Sequence, residues 1–218
     1  MGSSEAEKPL RRIAASFEEL AAVAKQQPAV SMDAGAFSRA CSNVSVLFGA
    51  SASPSTIILT FLSLWYSSLI TSLDLLQVDD LVEASKSIST LPSMVELDIQ
   101  TDTVRKPGSH TRNLLRVKRG IDMVKVLFEQ ILVTEGNSLR DAASVAYAQV
   151  FAPHHGWAIR KAVAAGMYAL PSKSQLLKKL NEDEESAKVQ MQNFVRSSAP
   201  VICYVEELFT SRNLGIDW

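Results

Sequence analysis

Apolar positions recur along most of the chain at steps of three and four, the helical period, and no stretch alternates as a strand would. Leu10, Ile13, Phe17, Leu20 and Val23 form one stripe that predicts a helix over 9–26, ended by Pro28. Ser31 or Asp33 can cap a second helix through Phe37, Cys41, Val44 and Phe48, broken at Gly49 and the Ser-Ala-Ser-Pro run to Pro54. Segment 55–91 is apolar first and amphipathic later. Pro92 starts or interrupts a helix through Ile99, and Ser109 caps a long one that runs to about Thr134. Ser138 or Asp141 opens a helix to Val150, and Pro153 suits the first turn of another from about His154 to Leu170. Ser172 or Ser174 caps a short helix to Leu180. The acidic run Asn181–Glu185 opens the last long helix, with a kink or restart at Pro200. These breaks predict an all-α chain of about eight helices, one domain over residues 1–218 with no repeat and no linker.

Composition narrows the function classes. The chain has 22 basic and 23 acidic residues and a net charge of −1, which excludes a generally basic nucleic-acid binder; any anion site is a local cluster. The two cysteines, Cys41 and Cys203, have no metal or disulfide spacing, so a reducing compartment is expected. The opening residues lack a secretory pattern. Ile57 to Leu73 is uncharged and touches the lower length limit of a membrane span; its Ser and Thr content favours a buried helix.

The long helix from Ser109 carries the chemistry. Leu114, Val117, Ile121, Val124 and Phe128 make its apolar face. Arg112, Arg116 and Arg119 fall on a different stripe, with Arg112 and Arg116 one turn apart. Two neighbouring guanidinium groups repel unless an anion sits between them, and a phosphate matches their forked donors. Met123 and Leu127 continue the same azimuth, so this side is cationic at one end and apolar at the other. That suits an amphiphile with an anionic head. It equally suits a solvated basic face, or arginines paired to Asp98 or Asp102. His154 and His155 sit at a predicted helix start, where the dipole lowers histidine basicity, and Trp157 follows in what reads as core. No glycine-rich phosphate loop, nucleophile elbow or metal-ligand spacing is present. An enzyme acting on phosphorylated lipids through His155 would need an activated nucleophile that the chain does not offer.

The run Ser109-His-Thr-Arg-Asn-Leu-Leu-Arg-Val-Lys-Arg-Gly120, followed by Ala152-Pro-His-His-Gly-Trp157, resembles the glycolipid transfer protein superfamily, and within it the plant accelerated-cell-death branch. Glu7 to Arg11 and Leu214 to Trp218 resemble that branch too, so the likeness covers roughly residues 5–49 and 78–218. It implies a two-layer helical sandwich that holds one sphingolipid, chains inside and headgroup at the surface. It implies non-enzymatic transfer of ceramide-1-phosphate between membranes, with no metal or cofactor. Arg112 and Arg116 match the phosphate-binding arginines; Trp stands at the Arg116 position in the sugar-binding branch. His155 matches the histidine that bonds the ceramide amide carbonyl. The expected setting is a monomer in the cytosol, in transient contact with membranes, restraining programmed cell death.

One stretch departs from the family. Relatives carry an Asp and, four residues on, a Lys or Asn shortly before the segment matching Val78-Asp79-Asp80-Leu81. Counting back, those positions are Leu73 and Gln77 here. Asp74 lies one residue, about 100°, around the helix and is the candidate substitute. The stretch from Gly49 to Gln77 is about a dozen residues longer than in relatives, as judged from the matched flanks. It reads as an alternative or mispredicted exon boundary or as retained intron sequence, which sequencing the transcript decides. The other reading is therefore a lipid-binding or sensing protein whose transfer is impaired because segment 50–77 displaces the Asp and Lys.

Overall fold

The computed structural model describes residues 8–26, 30–45, 47 and 71–218, with side chains from 77 onward in the last stretch. Among these residues there are nine α-helices and no strand: α1 (Pro9–Ala24), α2 (Ala34–Ser45), α3 (Thr71–Ala84), α4 (Leu91–Gln100), α5 (His110–Val133), α6 (Arg140–Val150), α7 (Trp157–Gly166), α8 (Lys173–Lys179) and α9 (Glu184–Thr210). Short 3-10 turns at Ala152–His154 and Met167–Ala169 flank α7. The apolar run between Ile57 and Ile70, Trp65 included, lies outside the described residues. No helix among those described is long and apolar enough to cross a membrane.

Local chemistry sets most boundaries. Pro9 occupies the first turn of α1, where its missing N–H costs nothing. Asp33 Oδ1 accepts from the Ala36 amide at 2.7 Å and caps α2. Ser172 and Gln175 form a reciprocal capping box on α8. The long α5 is secured twice at its start. Ser109 Oγ accepts from the Arg112 amide at 3.0 Å, and the buried Asp98 carboxylate accepts from the Thr111 amide at 2.7 Å. Gly108, in the left-handed region at φ 83°, makes the turn that feeds this cap.

Three expectations change. Neither Ser138 nor Asp141 is the N-cap of α6; Leu139 is, while Ser138 Oγ accepts from the Arg140 amide. The helix expected from His154 to Leu170 is split. Its first turn is the 3-10 piece, and α7 starts afresh after Gly156. Pro200 neither ends nor restarts α9, which is one helix of 27 residues.

The central element is α5, which packs against α3, α4, α6 and α9. One core cluster runs from Leu10 of α1 to Phe209 of α9 and takes most of the apolar face of α5. A smaller cluster joins Met123 and Val126 of α5 to Tyr147 and Val150 of α6, to Phe151 just after it, and to Val163 and Met167. Asp80 Oδ2 of α3 meets His110 Nδ1 at 3.0 Å and Asn113 Nδ2 at 2.8 Å in the first turn of α5. Asp80 lies near the end of α3, so the rest of α3 can lie against α5 only by running antiparallel along it. After α9 the tail folds back: Leu214, Ile216 and Trp218 join the main core beside α5.

Candidate functional site

The first third of α5 gathers positive charge. Arg112 and Arg116 are partly exposed and Lys118 is buried. Lys118 Nζ is paired across to Glu206 of α9 at 2.5 Å. Arg119 is half-buried and committed to the tail: its Nη2 donates to the carbonyl oxygens of Ile216 at 2.6 Å and Trp218 at 2.8 Å. Burial lowers the Arg119 pKa, the charge of Arg116 lowers it further, and Asp217 opposes both. Arg116 and Arg119 are thus electrostatic neighbours, and the tail holds the second so that the first faces a fixed like charge. Asp98, expected as one counter-ion for the arginines, is used elsewhere: it accepts from Thr111 N–H and the Thr103 hydroxyl.

The histidine turn comes to the same place from the other side. Burial lowers the His154 pKa, and Arg119 and Lys118 lower it further. Burial also lowers that of His155, with His154 and Arg119 adding to the effect. The lowering expected at this helix start is thus present, with loss of water and nearby cations contributing to it. Both rings are therefore held toward the neutral form. His155 is half-buried and fixed on two sides. Its ring stacks on Phe151, centroids 5.7 Å apart and planes 14° apart, and its Nδ1 lies 2.9 Å from the Tyr147 hydroxyl. Phe151 and Tyr147 belong to the smaller core cluster that also takes Met123 of α5. Met123, at the apolar end of the arginine stripe, thus packs in the same cluster as the two rings that hold His155.

Of the residues singled out in the sequence, Arg119 lies within electrostatic reach of Arg116 on one side and of the two histidines on the other. The Asp74 side chain lies outside the described residues. Gln77, where the resemblance expects the family Lys, is buried, and neither its amide nitrogen nor its oxygen has a hydrogen-bond partner. It lies one turn before Asp80 on the face that meets α5. An amide in that state costs about 1–3 kcal/mol. Trp157 is not core: it is 69% exposed at the first position of α7. Sequence reasoning missed Tyr147 and Phe151: they stand eight and four residues before His155, one helical stripe, but nothing in that stripe marked a tyrosine and a phenylalanine as partners of the histidine. A described cavity of about 340 Å³, lined by Ile131, Leu177, Ala187 and Met191 among others, sits at the other end of α5. That is about 20 Å or more from Arg116 at 1.5 Å per residue, so it is not part of this cluster.

The glycolipid transfer protein family profile matches residues 32–182. Accelerated cell death 11 of Arabidopsis thaliana is 57% identical over 219 aligned positions, which span 100% of both chains. A second Arabidopsis thaliana protein, a homologue of it, is 41% identical over 215 positions, covering 96% of this chain and 89% of its own. A crystal structure of an aspartate-to-asparagine variant of Arabidopsis accelerated cell death 11, complexed with C12 ceramide-1-phosphate, matches with a TM-score of 0.85 at 57% identity. That match covers 98% of this chain and 100% of the other.

Proposed function

The chain belongs to the glycolipid transfer protein family, and from that membership we propose that it carries ceramide-1-phosphate between membranes without altering it chemically. The observation that supports this reading is that Arg119, at the first third of α5, lies within electrostatic reach both of Arg116 and of a His155 that burial holds toward its neutral form and Tyr147 and Phe151 orient. Arg112 and Arg116 hold the phosphate through forked donors, and the likeness to accelerated cell death 11, solved with ceramide-1-phosphate, supports that ligand. His155 donates to the ceramide amide carbonyl. The sugar-binding branch has an aromatic ring where Arg116 stands, so phosphate is favoured over sugar.

The energetics call for a closed pocket. Each methylene exposed to water costs about 0.8 kcal/mol, so a twelve-carbon chain crossing water bare would cost about 10 kcal/mol. Swapping bilayer burial for burial between helix layers removes most of that cost. Specificity is then left to the polar headgroup contacts. We place the protein in the cytosol, where Cys41 and Cys203 stay unpaired. Purified chain mixed with donor and acceptor vesicles should transfer ceramide-1-phosphate in preference to galactosylceramide and return it intact. Preference for the sugar lipid, or chemical turnover, overturns the proposal.

Membrane contact falls to α7. Trp157 is 69% and Tyr168 74% exposed, and Arg160 and Lys161 are exposed on the same helix. An indole with one wet edge suits the headgroup level of a bilayer, and the cations favour an anionic surface. Trp157 stands two residues after His155, so docking there sets the site against the lipid. Trp157→Ala should lower sedimentation with phosphatidylserine-containing vesicles about tenfold and slow transfer in proportion. Unchanged sedimentation would put the contact elsewhere.

A further inference from the structure

Among the described residues the Tyr147 hydroxyl has one hydrogen-bond partner, His155 Nδ1, in a part-buried contact, and Tyr147 as a whole is 7% exposed. A hydroxyl has a single proton, and a buried one is seldom left without an acceptor. If Nδ1 carried hydrogen and donated to the hydroxyl oxygen, the hydroxyl proton would be left without a protein acceptor among the described residues. If the hydroxyl donates, one bond satisfies both groups. Nδ1 is then the bare nitrogen, and the neutral ring carries its proton on Nε2. An imidazolium, with both nitrogens protonated, meets the same obstacle as the first arrangement. The charged groups that bear on the pair agree: Arg160 beside Tyr147, and Arg119 and His154 beside His155, with Asp217 in reach of His154. The balance around the ring is cationic and disfavours a further positive charge.

Phe151 covers one face of His155 and Tyr147 takes the Nδ1 edge, so Nε2 is the polar atom left for a ligand. We propose that Tyr147 is a positioning residue of the headgroup site: its hydroxyl fixes the His155 tautomer and ring orientation, so that Nε2–H is a dedicated donor to the lipid's amide carbonyl. This rests on the transfer reading above. It also gives the site polarity, because a ring fixed in this form donates to a carbonyl and cannot accept from the amide N–H.

The test uses the full chain with nitrogen-15-labelled histidine, and the three histidines are assigned with His155→Gln. Without lipid, His155 should show one bare Nδ1 and one protonated Nε2. Tyr147→Phe should shift both nitrogens toward an averaged tautomer mixture. With vesicles containing ceramide-1-phosphate, Tyr147→Phe should bind about three- to tenfold more weakly, the worth of orienting one neutral hydrogen bond. Because Tyr147 acts through His155, Tyr147→Phe combined with His155→Ala should bind no more weakly than His155→Ala alone. Protonated Nδ1 in the wild type overturns the proposal, and so does a double loss equal to the sum of the singles. If the wild type shows Nε2–H but binds no ceramide-1-phosphate, the transfer reading and the carbonyl contact both fall, while the tautomer assignment stands on its own.

Discussion

Arg116→Ala is expected to lower ceramide-1-phosphate transfer by about two orders of magnitude while leaving the fold intact. A guanidinium that grips a phosphate through two parallel bonds makes charge-assisted contacts worth about 1.5–3 kcal/mol each. Truncating one partner of such a desolvated pair costs about 2–5 kcal/mol, which is roughly 30- to several-thousand-fold in affinity. Arg116→Lys should fall between, because it keeps the charge and loses the fork. The residue is partly exposed, so the substitution should move folding stability by less than about 1 kcal/mol. Vesicle transfer and a thermal melt, read together, check this. Wild-type transfer in Arg116→Ala would mean that Arg112 alone suffices or that phosphate is not the headgroup. A collapsed melting temperature would mean that Arg116 holds the structure together. Galactosylceramide is the internal control: its transfer should not fall with that of the phosphate lipid.

The parts of this molecule that could be read from the sequence are those governed by neighbours along the chain. The stripe from Leu10 to Leu20 fixed the buried face of α1, and Ser109, Asp33 and Ser172 fixed helix starts, because capping is a matter of two or three residues. The Arg112–Arg116 turn was legible for the same reason. Contacts that close across turns or between distant elements were not. Arg119 looked like a third member of the basic stripe, but the tail a hundred residues later takes its donors. Trp157 looked like core because apolar counting turns a Trp inward, whereas the break at Gly156 starts a new helix that leaves it outside. Lowered histidine basicity was legible from the helix start, but the parts that burial and the proximity of Arg119 add depend on packing that no local pattern encodes. Gln77 is a different case. The likeness flagged it as a missing Lys, and the structure adds that its amide is buried and unpartnered. It is a place where the chain gives up local satisfaction next to a helix face proposed to meet ligand.

Phe194→Ala should cost about 3–5 kcal/mol, a third or more of the stability of a typical domain. Phe194 is 1% exposed and meets Phe17 of α1 at 4.8 Å and Phe128 of α5 at 5.5 Å, both edge to face. One ring thus pins three helices from distant parts of the chain. The helices it joins are long and stiff, so little can move in to fill the cavity that Ala leaves. At about 2–4 °C per kcal/mol for a chain of this length, the melting temperature should drop by roughly 6–20 °C. Phe194→Leu should cost far less, since it keeps most of the volume. The ligand then separates scaffold from pocket. Saturating ceramide-1-phosphate raises the melting temperature in proportion to RT ln(1 + [L]/Kd), so a variant that keeps its affinity keeps the same increment on a lower baseline. If the three rings are scaffold, Phe194→Ala should show that undiminished increment. If they part to admit an acyl chain, the increment should change, because Ala enlarges the space where the chain would lie. A cost below about 1 kcal/mol, whatever the increment, would mean that this junction is loosely packed and that α5 is held by other contacts.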